Sequence, residues 1–220
     1  MQPFELSPHI AKLVEPYAAA SEVARISRMG GHETREFLAR LWLSEGIPFA
    51  FRAKPAVYDA MRSWLARRLG ISPKEITMVG SARLGQSLDP NQLGKEFSSN
   101  SDLDLTIVSP ELFQRIATEF SIWKQDFENG LVKPNRHEEK YWRDNADSGP
   151  KKITRGFLDA NMIPHRDAYV LSRQIGDAMW RVRERLKATP NAPKIRKADV
   201  RVYRNWEDFT RQVVLSLECL

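Results

Sequence analysis

Asp102 and Asp104 stand two residues apart in SNSDLDLTIV, at the head of an otherwise apolar run. On an extended chain, side chains at i and i+2 project from the same face, so the two carboxylates converge. Like charges that close resist ionisation unless they share a cation. Magnesium suits the pair, since it takes hard oxygen ligands and is held by one or two carboxylates together with substrate phosphates. Upstream, Gly80 and Ser81 close a second apolar run, ITMV. Gly80 lets the backbone approach a ligand closely. The amides of Ser81, Ala82 and Arg83, with the Ser81 hydroxyl beside them, are placed to donate to phosphate oxygens. Arg83 and Lys95 are candidates for a terminal phosphate, with surface charge the simpler account of both. A phosphate cradle opposite a metal seat is what phosphoryl or nucleotidyl transfer requires, because that chemistry rests on in-line positioning and charge neutralisation.

Periodicity outlines the elements that must position these residues. Ile76 to Val79 form a short β-rich run. In SDLDLTIV, Leu103, Leu105 and Ile107 share one face and Asp102, Asp104 and Thr106 the other. A helix follows, with Ser109 as N-cap, Pro110 at its first position, Glu111 in its first turn, and an apolar side of Leu112, Phe113, Ile116, Phe120, Trp123 and Phe127. Ahead of the strands, helices are expected over residues 9–27, split by Pro16, and over residues 31–46. A third carries Val57, Met61, Trp64, Leu65 and Leu69 and stops at Gly70. Beyond the strands, Ile175, Met179, Val182 and Leu186 mark a helix that Pro190 stops; ADVRVYR is a strand, and a last helix begins near Asn205. Residues 128–167 are polar and aromatic-flecked, and only ITRGFLD within them suggests a strand. The expected fold is α/β or α+β, a small mixed sheet flanked by helices with additional N- and C-terminal helices. It forms one domain over residues 1–220, helical to residue 70 and with the core in 71–220.

At Val79-Gly80-Ser81 and Ser101-Asp102-Leu103-Asp104-Leu105 the chain resembles the DNA polymerase β-like nucleotidyltransferase superfamily. The signature of that superfamily is an apolar residue, Gly-Ser or Gly-Gly, a spacer, and Asp-apolar-Asp/Glu-apolar. GSARLG and SSNSDLDLTIV are most similar to its small bacterial and oligonucleotide-synthase-like members. The spacer departs from the pattern, lengthened by LDPNQLGKEF. The resemblance covers residues 76–108, with a looser match near Asp199. It implies a third carboxylate from a later strand. Asp199 is the first choice, because KADVRVYRNWEDF is similar to the strand that supplies it in family X polymerases; Asp159, at the end of RGFLD, is the rival. The resemblance further implies a two-metal Mg²⁺ site on Asp102, Asp104 and Asp199, with Mn²⁺ able to substitute. A nucleoside triphosphate, ATP included, would lie on Gly80, Ser81 and Arg83, and its nucleoside monophosphate would pass to an acceptor hydroxyl with release of pyrophosphate. RNA, a second nucleotide and a protein side chain remain open as acceptors. Two other roles of the same scaffold also remain open. One is an inactive nucleotide- or nucleic-acid-binding module in a stress or bacterial defence complex; the other is the toxin/antitoxin type of minimal nucleotidyltransferase.

Composition narrows the classes further. A chain of 220 residues, 42% hydrophobic and 28% charged, buries a sizeable core. MQPFELSPHIAKLVEP carries charges and no sustained apolar run, so neither a cleavable signal nor a membrane partner is expected, and cytoplasmic residence is the default. Cys219, the only cysteine, makes no internal disulfide, and no Cys/His spacing suggests zinc. A net charge of +6 favours a polyanionic ligand. Between Arg181 and Arg204 lie Arg183, Arg185, Lys187, Lys194, Arg196, Lys197 and Arg201, either a basic wall for triphosphate or acceptor or a solvated face. Trp123, Trp142, Trp180 and Trp206 offer rings for base stacking, but spacing assigns Trp123 and Trp180 to apolar helix faces and hence to the core. His9, His32, His137 and His165 show no ligand spacing. No Ser/His/Asp array is present, and GSARLG lacks the lysine of a P-loop. Nothing in the sequence indicates an oligomeric state.

Overall fold

The computed structural model describes residues 8–11 and 13–220; of the helix expected over residues 9–27, residues 13–19 are turn and coil around Pro16 and only Ala20 onward is helical, and the helix expected over residues 31–46 ends at Arg40. Within the described chain, helix α1 (Ala20–Arg40) runs through the expected break, bent at Gly31 (φ 72°, ψ −164°). Two expected helices are thus one kinked element. Helix α2 (Pro55–Leu69) opens on proline and ends at Gly70 in the left-handed conformation (φ 70°), as its sequence required. Strand β1 (Ile76–Val79), the one-turn α3 (Ser81–Leu84), strand β2 (Leu103–Val108) and helix α4 (Pro110–Glu128) follow. Next come α5 (Glu139–Thr154), β3 (Phe157–Asp159), α6 (Val170–Ala188), β4 (Ala198–Tyr203) and α7 (Trp206–Glu218). Helix α5 was not expected. Ser109 occupies the cap position of α4, yet its side chain makes no capping bond; its carbonyl instead accepts from Phe113 N at 2.9 Å. Asn205 caps α7 through Oδ1, which accepts from Asp208 N at 2.8 Å.

The architecture is α+β, with a four-stranded mixed sheet in the order β1-β2-β4-β3. β1 is antiparallel to β2, β4 parallel to β2, and β3 antiparallel to β4. A parallel pair needs a long crossover, and the segment from α4 to α6 supplies it. Alternation then sorts the two faces. Ile76, Met78, Leu103, Leu105, Ile107, Val200 and Val202 enter the main core with Leu65 of α2, Phe120 and Trp123 of α4, and Ile175 of α6. Each such side chain contributes about 1.5–3 kcal/mol on burial. A slip of one residue would expose this whole set and drive the aspartates inward, so the register is strongly held.

Three rows cross the opposite face: Val79, Asp104 and Asp199; then Thr77, Thr106, Arg201 and Asp159; then Val108, Tyr203 and Phe157. Phe209 of α7 packs on Val108, Phe157 and Tyr203. Helix α7 lies in turn against α1, where Leu217 joins Ile26 and Leu38 and the Ser27 hydroxyl donates to the Leu217 carbonyl at 3.0 Å. The apolar row is covered, whereas Val79, Asp104 and Asp199 are only half-buried. No described helix is long and apolar enough to cross a membrane.

Candidate active site

Register alone brings Asp104 and the third carboxylate together. Asp104 of β2 and Asp199 of β4 are paired neighbours on adjacent parallel strands. Asp102 stands just before β2, one pleat away on the same face. On the other flank, Val79 pairs with Asp104, and the chain turns sharply at Gly80 (φ 69°, ψ −154°) into α3. A Cβ built on Gly80 would lie 2.9 Å from Asp104 Oδ2. The Gly-Ser turn and the carboxylate are therefore in direct apposition, and the left-handed φ excludes a side chain on conformational grounds as well. Gly80→Ala is expected to cost about 1–3 kcal/mol in urea unfolding; stability equal to the parent would mean that the turn relaxes freely.

A cleft of about 570 Å³ opens here, lined by Gly80, Ser81, Asp102, Asp104, Arg196 and Arg201, with Ser87 and Lys95 from the spacer at its rim. The long spacer closes on itself. Gln86 bridges Glu96, Ser87 N donates to the Lys95 carbonyl at 2.9 Å, and Asp89 Oδ1 accepts from Asn91 N at 2.8 Å. Its extra length is absorbed as a self-bonded loop beside the cleft, while the turn at Gly80 keeps its place against β2.

Burial, and after it the negative charges of Asp102 and Asp199, push the Asp104 carboxyl above the ordinary carboxylate range; Lys197 and Arg201 offset this only in part. Among the described residues Asp104 has no hydrogen bond or ion pair. Its neighbours do. Arg196 holds Asp102 with Nε at 2.9 Å and Nη2 at 2.7 Å, and Lys197 Nζ lies 3.8 Å from Asp102 and 2.5 Å from Asp199. The Asp199 partnership raises the Lys197 pKa. Both cationic side chains are more than half exposed, at 64% and 51%, where water and salt screen such pairs. Among the described residues no three acidic, histidine or cysteine side chains are gathered to hold an ion. The donor set nonetheless suits Mg²⁺, being carboxylate oxygen throughout, with Asp104 unpaired at its centre.

Asp159 lies elsewhere. It pairs with Arg201 across β3 and β4, one row from Asp104, and is clamped by Arg201 Nε at 2.6 Å and Lys152 Nζ at 2.8 Å. Burial alone would raise its carboxyl, but Arg201 and Lys152 outweigh it and hold the group below the usual range. Of the two candidates for a third carboxylate, Asp199 is the one beside Asp104. Arg83 is not in the cleft. It is buried, donates from Nη1 to the Ile47 carbonyl at 2.8 Å, and has its pKa lowered by burial against the opposing pull of Tyr17, Tyr58 and Glu45.

No family model matches this chain, and no curated protein or solved structure is significantly similar to it.

Two cations beside the carboxylates were not singled out in the sequence. Arg196 and Lys197 stood in a general basic run, and the signal that separates them is their position directly before the strand that carries Asp199. Trp123 and Trp142 are buried in the core, but Trp180, expected there too, is 60% exposed.

Proposed function

We propose that this chain is a magnesium-dependent nucleotidyltransferase that joins the nucleoside monophosphate of a triphosphate to an acceptor hydroxyl and releases pyrophosphate. One observation carries the reading: Asp104 lies level with Asp199 on paired strands and against Gly80 on the other side. The resemblance of the Gly-Ser and Asp-x-Asp segments supports it from the sequence. Asp102, Asp104 and Asp199 are the side chains to hold Mg²⁺, which when bound neutralises triphosphate charge and makes the acceptor hydroxyl easier to deprotonate. Gly80 and Ser81 fix the triphosphate oxygens in the cleft. In this reading Asp199 draws off the acceptor's proton as the acceptor oxygen attacks the α-phosphorus and pyrophosphate departs in line. Arg196, on the wall of the same cleft, offers a cation to the departing pyrophosphate once it leaves Asp102.

A second reading has its own observation. The ion pairs of Arg196 with Asp102 and of Lys197 with Asp199 suit a scaffold that binds nucleotide or nucleic acid without catalysis. Incubation with each radiolabelled triphosphate and Mg²⁺, with and without total RNA, separates the two. Pyrophosphate release that a chelator stops, together with a longer or adducted labelled product, is the expected outcome. Triphosphate binding with no product under any of these conditions would favour the second reading and sink the first.

A further inference from the structure

Beside Asp199 a second recess of about 260 Å³ opens, lined by Asn161, His165, Trp180, Arg183, Lys197 and Asp199. None of these residues lines the Gly80 cleft. Helix α6 builds one wall with Gly176, Trp180 and Arg183, which at i, i+4 and i+7 share a face. A Cβ on Gly176 would lie 1.8 Å from His165 Cε1, so the imidazole rests directly on the helix backbone beside the indole. Trp180 itself is 60% exposed, and no aromatic ring or guanidinium among the described residues stacks on it. An open indole that flanks two cations and one of the proposed metal-holding carboxylates is a combination that packing does not require.

We infer that this recess receives a nucleobase of the acceptor, stacked on Trp180, with its sugar hydroxyl directed to Asp199 and the adjoining phosphate on Arg183 and Lys197. Size assigns the two openings. Pockets for ligands of drug size run to roughly 300–1,000 Å³; this recess falls below that range and takes a single base, whereas the 570 Å³ cleft has room for the triphosphate. Charge agrees, since the recess carries two cations, Arg183 and Lys197, which an entering phosphate would draw from Glu184 at 3.6 Å and from Asp199 at 2.5 Å, and the exposed Arg196 stands next to Lys197 in the chain. The acceptor is thereby a nucleotide, either the end of a single-stranded RNA or a free mononucleotide, rather than a protein side chain. The direction of the hydroxyl rests on the nucleotidyltransferase reading; the stacking does not.

The test is binding to the full chain without Mg²⁺ or triphosphate, using a fluorescein-labelled ribonucleotide decamer in one arm and adenosine monophosphate in the other. The arm that binds the parent names the source. For that ligand Trp180→Ala is expected to weaken binding by about tenfold or more, the usual worth of one stacked base, and Trp180→Phe to restore most of it. Arg183→Ala is expected to weaken binding and flatten its dependence on salt. Triphosphate affinity with Mg²⁺ is expected to be the same in Trp180→Ala as in the parent. The inference is overturned if the parent binds neither ligand, if Trp180→Ala binds as the parent does, or if the variant loses triphosphate instead. Because the readout needs no turnover, Trp180-dependent binding supports the recess even in a chain that never releases pyrophosphate, so the two readings fail separately.

Discussion

Asp104→Asn is expected to reduce Mg²⁺-dependent pyrophosphate release by about a thousandfold or more while raising, not lowering, the thermal midpoint. The two effects have one origin. Burial and the charges of Asp102 and Asp199 hold this carboxyl above its ordinary range, so at neutral pH its ionisation favours the unfolded chain. Its contribution to stability is full below the unfolded carboxyl's pKa of about 3.9 and is lost as pH rises through the higher folded value. Asparagine keeps the shape and discards the charge. The variant's advantage in midpoint should therefore be largest near neutral pH and vanish in acid. Added Mg²⁺ should raise the parent's midpoint and leave the variant's unchanged, since a ligand stabilises only the state that binds it. Calorimetric scans across pH, with and without Mg²⁺, check every part of this. A variant that loses both activity and stability would make Asp104 a structural residue.

Asp199→Asn and Asp159→Asn are expected to separate in opposite directions. Asp199 is 38% exposed and paired with one exposed lysine, so its loss should leave the midpoint near the parent's and reduce pyrophosphate release by about a hundredfold or more. Asp159 is held between Arg201 and Lys152. Removing its charge strands both, at a cost of about 1–3 kcal/mol once the partial exposure of the two cations is allowed for. Release should remain within about tenfold of the parent. Because the Asp159 carboxyl is held below its usual range, the stability it contributes is present above the unfolded carboxyl's pKa and disappears as pH falls through the folded one. Denaturant titration at several pH values, alongside the release assay, measures the contrast. If the two variants exchange phenotypes, the third carboxylate is Asp159 and the site as drawn is wrong.

The pair of strands around the cleft was legible because alternation is a local signal. ITMV and LDLTIV carry their core and solvent faces within four to six residues, and the apolar side of α4 repeats over several turns. Helix α5 lacked such a signal. It includes Gly149 and Pro150, a dipeptide that marks turns, and its buried face is only Trp142, Asn145, Ala146 and Gly149. What makes it helical is its neighbour. The Phe120 ring lies where a Cβ on Gly149 would be, 2.0 Å away, so only glycine lets the two helices meet, and Asn145 Nδ2 donates to the Met162 carbonyl at 3.0 Å. The strand expected over ITRGFLD shortens for the same reason, because Ile153 and Thr154 complete α5 and only Phe157–Asp159 remain extended. Trp180 was misplaced by one position on the helical wheel, next to the buried Met179 but facing outward. The choice between Asp199 and Asp159 waited on register, and the hold of Arg196 on Asp102 joins residues 94 positions apart. Neither leaves a trace in short-range pattern.

β4 lies between β2 and β3, although it is made after both. During translation, Asp102 and Asp104 leave the ribosome well ahead of the strand that must slide in beside them, and pairing over so long a loop is slow to form. The row of carboxylates exists only after synthesis has passed Tyr203. A chain cut short before that strand keeps its aspartate pair but has no partner strand to hold the pair level with Asp199, and its β2 and β3 present open edges to whatever strand of another chain arrives first.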